Sequence, residues 1–182
     1  MLECLKHNII VHYQCLHSSA AVIVKKIFFR VWEMKEIIMT IHILAASLWV
    51  GGMLFMVLVL SPYVRKLPDY VKHFQEVGKR YSIWGTVISL LTLFLTGLYN
   101  MKVMGAPFPK VFSMDTSYAH TLSHKLYLFF TTVVVAVVHD YLLGLRAHKS
   151  EKLRKLSVIA GIINLILGIS IVYLAVKLRF GG

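Results

Sequence analysis

His42, His120, His124, Lys125 and His139 all fall inside stretches otherwise apolar enough to cross a bilayer. An ionisable group at membrane depth is costly, and such residues usually face a bundle interior and mark a site. His120 and His124 are four apart, so they occupy neighbouring turns of one helix face. His139 follows His124 by fifteen residues, ~22 Å further along the axis and about 60° round it. The stretch 118–149 therefore offers imidazoles at two depths on broadly one side. Two neutral imidazoles facing each other are what an iron porphyrin takes as axial ligands. Methionine thioethers favour Cu(I) instead, and Met101, Met104 and Met114 cluster in one loop region beside His120.

Those side chains need elements to hold them. Of the 182 residues, 58% are hydrophobic, mean hydropathy is +0.71, and the excess is gathered into runs. Four runs, about 36–60, 82–103, 119–145 and 156–178, reach the ~20 residues that span a bilayer. The expected fold is an all-α integral membrane protein, a four-transmembrane-helix bundle occupying residues 34–182. The loop segment PDYVKHFQEVGKR places Tyr70, Val71, Phe74 and Val77 on one face, which predicts a short interfacial helix in the first cytoplasmic loop. His73 on its other side is solvated in this reading.

The net charge of +12 reads as topogenic, with no nucleic-acid partner. Arg65, Lys66, Lys72, Lys79 and Arg80 lie between the first two spans, and Arg146, Lys149, Lys152, Arg154 and Lys155 between the last two. Basic residues concentrate on the cytoplasmic side. Both basic loops are thus expected in the cytoplasm, with the C-terminus outside an inner membrane. Residues 1–33 form an extension whose apolar core is too short for a signal peptide, and Met34 could itself be a start. The extension carries Cys4, His7, His12, Cys15 and His17, metal-ligand types at a spacing that matches no zinc motif.

The first and third helices run the same way through the membrane, with His42 and His124 at similar depth. Bundle cores are where cofactor sites are commonly built, so the pair is expected to converge on one centre. Ala45, Ala46 and Trp49 share the stripe of His42 and would suit a flat macrocycle. Lys125 would meet a propionate or act catalytically as a proton donor, His120 is the alternative ligand, and His139 beside Asp140 is a candidate second site or proton relay. Ser89, Thr92, Thr96 and Gly97 make a weakly polar seam on the second span. Ser157, Gly161, Asn164 and Gly168 make a close-packing face on the fourth, for contact within the bundle or for a homo-oligomer.

The segments IHILAASLWVGG, RYSIWGTVISLLTLFLTGLYN and YAHTLSHKLYL resemble the CopD-like copper-resistance membrane domain. The order of a first-helix histidine, Trp and Gly, then KLYLFFTTVVVAVVHDY, is also similar to the HemJ type of protoporphyrinogen oxidase. The resemblance covers about residues 36–178. HemJ likeness implies a four-helix haem b protein oxidising protoporphyrinogen IX, with its first-helix histidine and third-helix lysine on His42 and Lys125. The continuation MLFMVLVLSPYVRK after Gly52 and the absence of an Asn-Glu-Pro signature at Asn164 depart from that pattern. CopD likeness implies copper transport or tolerance. The expectation is haem b with a redox role; copper, or an accessory subunit of a respiratory complex with a respiratory-chain or quinone partner, are the alternatives.

Overall fold

The computed structural model describes residues 34–106, 111–113, 115–147 and 149–181. The cysteine- and histidine-bearing extension and Met114 lie outside the described residues. Among the described residues four helices are long and apolar enough to cross a membrane, and none is in a strand. They are α1 (Met34–Val64), α2 (Tyr70–Val103), α3 (Ser117–Leu143) and α4 (Glu151–Arg179). Residues 34–40 are helical, with Thr40 Oγ1 donating to the Glu36 carbonyl at 2.8 Å. The bundle described below is formed from Ile41 onward.

The first span, expected to stop at Ser61–Pro62, continues one turn to Val64. Proline lacks an N–H and its ring crowds the carbonyl four residues back. The turn before it, Met56–Leu60, is widened to a π-helix, which absorbs that misfit. The chain then reverses through Asp69, whose φ of 54° is left-handed, a conformation Asp tolerates better than most residues. A helix is present at Tyr70–Tyr81, as predicted, but it runs without a break into the second span and does not form the separate interfacial helix expected of this loop.

Thr116 caps α3: it is extended (φ −129°, ψ 153°) and its side chain accepts from Ala119 N at 3.1 Å, satisfying one of the free amides at the helix start. In α4, Glu151 sits in the first turn and Lys177 and Arg179 in the last, the signs that the helix dipole favours.

The main core joins Ala45, Trp49, Val50 and Met53 of α1 with Leu90 and Leu93 of α2, Ala136 of α3 and Ile171 of α4. Close approach depends on glycine at two places. A Cβ on Gly52 would lie 2.3 Å from the Tyr81 ring, and one on Gly85 2.0 Å from it. The Tyr81 ring thus occupies the space between α1 and α2 that the missing side chains leave. Leu44, Leu58, Trp84, Val134 and Tyr173 are exposed on the outside, the apolar surface that lipid covers.

Both basic segments lie at one end of the bundle. Gln75 Nε2 donates to the Gly144 carbonyl at 3.3 Å, and the Arg154 guanidinium lies 5.9 Å from the Tyr70 ring centroid.

Candidate functional site

His42 is half-buried and its Nδ1 lies 2.7 Å from Thr96 Oγ1 on α2. Thr96 has one hydroxyl proton, and it donates that proton to the Thr92 carbonyl at 2.6 Å. The Thr96 oxygen must therefore accept from His42 Nδ1–H, which leaves Nε2 as the unprotonated nitrogen. An imidazole fixed in this way is a ready ligand or base, since ligating histidines almost always donate their other N–H to an oxygen. Small residues leave room beside it: the nearest approach at Gly97 is 3.7 Å, from a would-be Cβ to His42 Cε1.

Lys125, from α3, is the charged group that acts electrostatically on His42. The half-buried Lys125 and His42 are 83 residues apart in sequence (125 − 42), and the fold puts the lysine within electrostatic reach of the imidazole. His124 does not share that position. It is exposed, its Nδ1 donates to the His120 carbonyl at 2.8 Å, and its ring lies 4.4 Å from that of His120, also exposed. One residue of helix is 100° of rotation, so the position that turns Lys125 toward His42 turns His124 onto another face.

Trp49 is buried two turns below His42 and Ala45 one turn below it, with Ala46 half-buried beside them. Met101 is packed against Val111 and Leu122, whereas Met104 is 62% exposed. These two thioethers therefore sit in different environments. Among the described residues no group of three or more His, Cys, Asp or Glu is placed to hold a metal ion. A porphyrin iron needs no such group, because the macrocycle supplies four nitrogens and the protein only axial ligands.

The other end of the bundle holds a second polar cluster. His139 Nδ1 donates to Asp140 Oδ1 at 2.6 Å, and Ser82 Oγ donates to Asp140 Oδ2 at 2.5 Å. His139 Nε2 faces Gly161 of α4, 3.3 Å from where a Cβ would stand. Tyr81 donates its phenolic proton to the Trp49 carbonyl. Between α2 and α3, a half-open apolar groove of about 340 Å³, lined by Phe94, Phe129, Phe130 and Val133, runs toward Asp140.

The fourth-helix seam is used inside the bundle. Gly161 meets His139, Asn164 Nδ2 contacts Met53 Sδ at 3.6 Å, and Gly168 packs on Trp49, Val50 and Met53. Among the described residues, four buried side-chain polar atoms have no partner: Trp49 Nε1, Ser89 Oγ, Thr132 Oγ1 and Asn164 Oδ1. Each would cost about 1–3 kcal/mol if left truly unsatisfied. Sequence reasoning noted Thr96 and Ser89 as a seam but did not assign Thr96 to His42, Ser82 to Asp140, or Tyr81 to Trp49. The only signal was a hydroxyl facing inward at helical spacing, which does not name a partner.

The comparisons with known proteins bear on this site through one relative. A protein of Aquifex aeolicus (strain VF5), described as uncharacterized, is 43% identical over 150 residues, covering 81% of this chain and 97% of that one. The chain belongs to that protein's family. No family model matches the chain, and no solved structure matches it. Identity at this level over nearly the whole relative means the two share a fold.

Proposed function

We propose that this protein is a membrane redox protein that takes a b-type haem at the His42 end of the bundle. The observation that carries the reading is the His42–Thr96 contact, an imidazole with a free Nε2 whose tautomer is set by a hydroxyl, with Lys125 within electrostatic reach. These residues fit the group. His42 would supply an axial ligand, and Lys125 would pair with a propionate or move a proton at its Nζ. His124, with His120 as its substitute, would supply a second ligand only from the exposed face of α3. When bound, haem supplies one-electron chemistry whose potential is set by axial ligation and burial. The chain's own part is to hold and orient the ligand, with Ala45 and Ala46 as small apolar neighbours of His42 on the same helix stripe.

The enzymatic form of this reading is oxidation of a tetrapyrrole such as protoporphyrinogen IX, with Lys125 as the proton-handling group. An electron partner soluble in lipid, such as a quinone, would approach along the groove beside Phe94 and Phe129. The basic end of the bundle would face the cytoplasm.

The absorption spectrum of purified protein tests the reading. A red extract with a Soret band and a b-type pyridine haemochrome, lost in His42→Ala, supports it. Colourless protein that retains copper, and retains less of it after Met101 and Met104 are replaced, would move the assignment to copper transport. Co-purification with a large respiratory complex, unchanged by either substitution, would make the chain an accessory subunit.

A further inference from the structure

The four unpartnered atoms in the interior come one from each helix: Trp49 Nε1, Ser89 Oγ, Thr132 Oγ1 and Asn164 Oδ1. Their residues are 1%, 2%, 0% and 6% exposed respectively. Helical register brings three of them to one level. Trp49 lies seven residues beyond His42, Ser89 seven before Thr96, and Thr132 seven beyond Lys125. Seven residues are two turns, ~10 Å along the axis and within about 20° of the same face. Since His42 contacts Thr96, with Lys125 within electrostatic reach, the same two-turn step puts Trp49 and Ser89 in the next layer of the seam, with Thr132 at the corresponding position on α3. Asn164 joins from α4, contacting Met53 one turn below Trp49.

Beyond this layer the polar chain continues. The Tyr81 phenol donates to the Trp49 carbonyl and lies within electrostatic reach of Asp140. Asp140 is held in turn by Ser82 and His139. Polar groups therefore recur from the His42 layer to the Asp140 layer, with direct hydrogen bonding interrupted at the four orphan atoms, over the two turns between them and the His42–Thr96 pair, and between Tyr81 and Asp140.

The chemistry of those atoms selects an occupant. Trp49 Nε1 can only donate, Asn164 Oδ1 can only accept, and the two hydroxyls can do either. Water, which takes two to four such partners in a polar cavity, matches this set. A metal cation does not, because the indole N–H would point positive charge at it. We propose that water occupies this layer and completes a hydrogen-bonded proton passage between the Ser82–Asp140 cluster at one end and the His42–Thr96 pair at the other. Transfer exchanges O–H bonds along the chain: a proton joins the first oxygen, each oxygen passes one on, and one leaves at the far end. No electron moves, and no other reactant is consumed. The passage needs no cofactor, so it goes beyond the haem reading and is tested separately from it.

The experiment reconstitutes the full chain into liposomes enclosing a pH-sensitive dye, with a potassium gradient and valinomycin setting the voltage. Wild-type vesicles change internal pH faster than protein-free vesicles. Thr132→Val keeps the side-chain shape but removes the oxygen; it lowers the flux about tenfold, the consequence of losing one hydrogen bond, and Thr132→Ser restores it. Ser89→Ala gives the same loss should Thr132→Val not fold, with folding judged by monodisperse elution and helical circular dichroism. Wild-type flux no greater than that of empty vesicles overturns the proposal. So does a folded Thr132→Val or Ser89→Ala that conducts as well as wild type.

Discussion

His42 Nδ1 and Thr96 Oγ1 lie 2.7 Å apart, and because the Thr96 proton goes to the Thr92 carbonyl, the contact decides which imidazole nitrogen is free. One hydroxyl on α2 thus sets the chemistry of a ring on α1. Replacing it tests that dependence. Thr96→Val keeps the shape and removes the acceptor, and under the proposed haem reading is expected to weaken haem retention by about tenfold or more, the usual cost of losing an outer-shell partner. Haem-to-protein ratios measured by pyridine haemochrome after purification check this, with His42→Ala as the complete-loss reference.

Lys125 lies within electrostatic reach of His42. Under the proposed haem reading, a cation near the iron would favour the reduced, less positive form. Lys125→Met, close in length but uncharged, is therefore expected to lower the midpoint potential by tens of millivolts, and Lys125→Arg to leave it near the wild-type value. Spectroelectrochemical titration of the Soret band measures both. A potential unchanged in Lys125→Met would separate this lysine from the site.

Gly85 is a case where propensity and packing disagree in sign. Alanine is the better helix former by about 1 kcal/mol, yet its Cβ would stand 2.0 Å from the Tyr81 ring. The ring is anchored through its hydroxyl to the Trp49 carbonyl, so it cannot swing away without losing that bond. Gly85→Ala is expected to destabilise the protein by about 1–3 kcal/mol, and Tyr81→Phe by about 1 kcal/mol. Thermal unfolding in detergent, followed by circular dichroism, gives both values. A rise in stability for Gly85→Ala would show that the helix term wins and that the ring yields.

Gly161 sits against His139 with less clearance than a methyl group needs, 3.3 Å from the would-be Cβ to Nε2. Gly161→Ala is expected to displace the imidazole by a few tenths of an ångström and loosen its 2.6 Å contact with Asp140. Gly161→Leu, whose bulk the gap cannot hold, is expected to cost a further 1–3 kcal/mol. Comparing the melting temperatures of the two variants reads the size of the space directly.

Much of this protein is decided locally. Four apolar runs of spanning length, an amphipathic turn at Tyr70–Tyr81 and basic residues in two loops follow from hydropathy and charge, because lipid forces every backbone group to be satisfied within its own helix. His42 and Lys125 could be singled out for the same reason, an ionisable side chain being conspicuous in such surroundings. Which face each helix turns inward is a different matter. A periodic run of Leu, Val and Ile presents similar surfaces in several directions, and rotation is settled by where small residues admit a neighbour: Tyr81 over Gly52 and Gly85, Trp49 against Gly168. That rotation turned Lys125 rather than its neighbour His124 toward His42, gave Thr96 its partner, and aligned Ser89, Thr132 and Asn164 in the interior. Pairings between helices depend on side-chain fit across tens of residues of sequence, so only the tertiary structure could decide them.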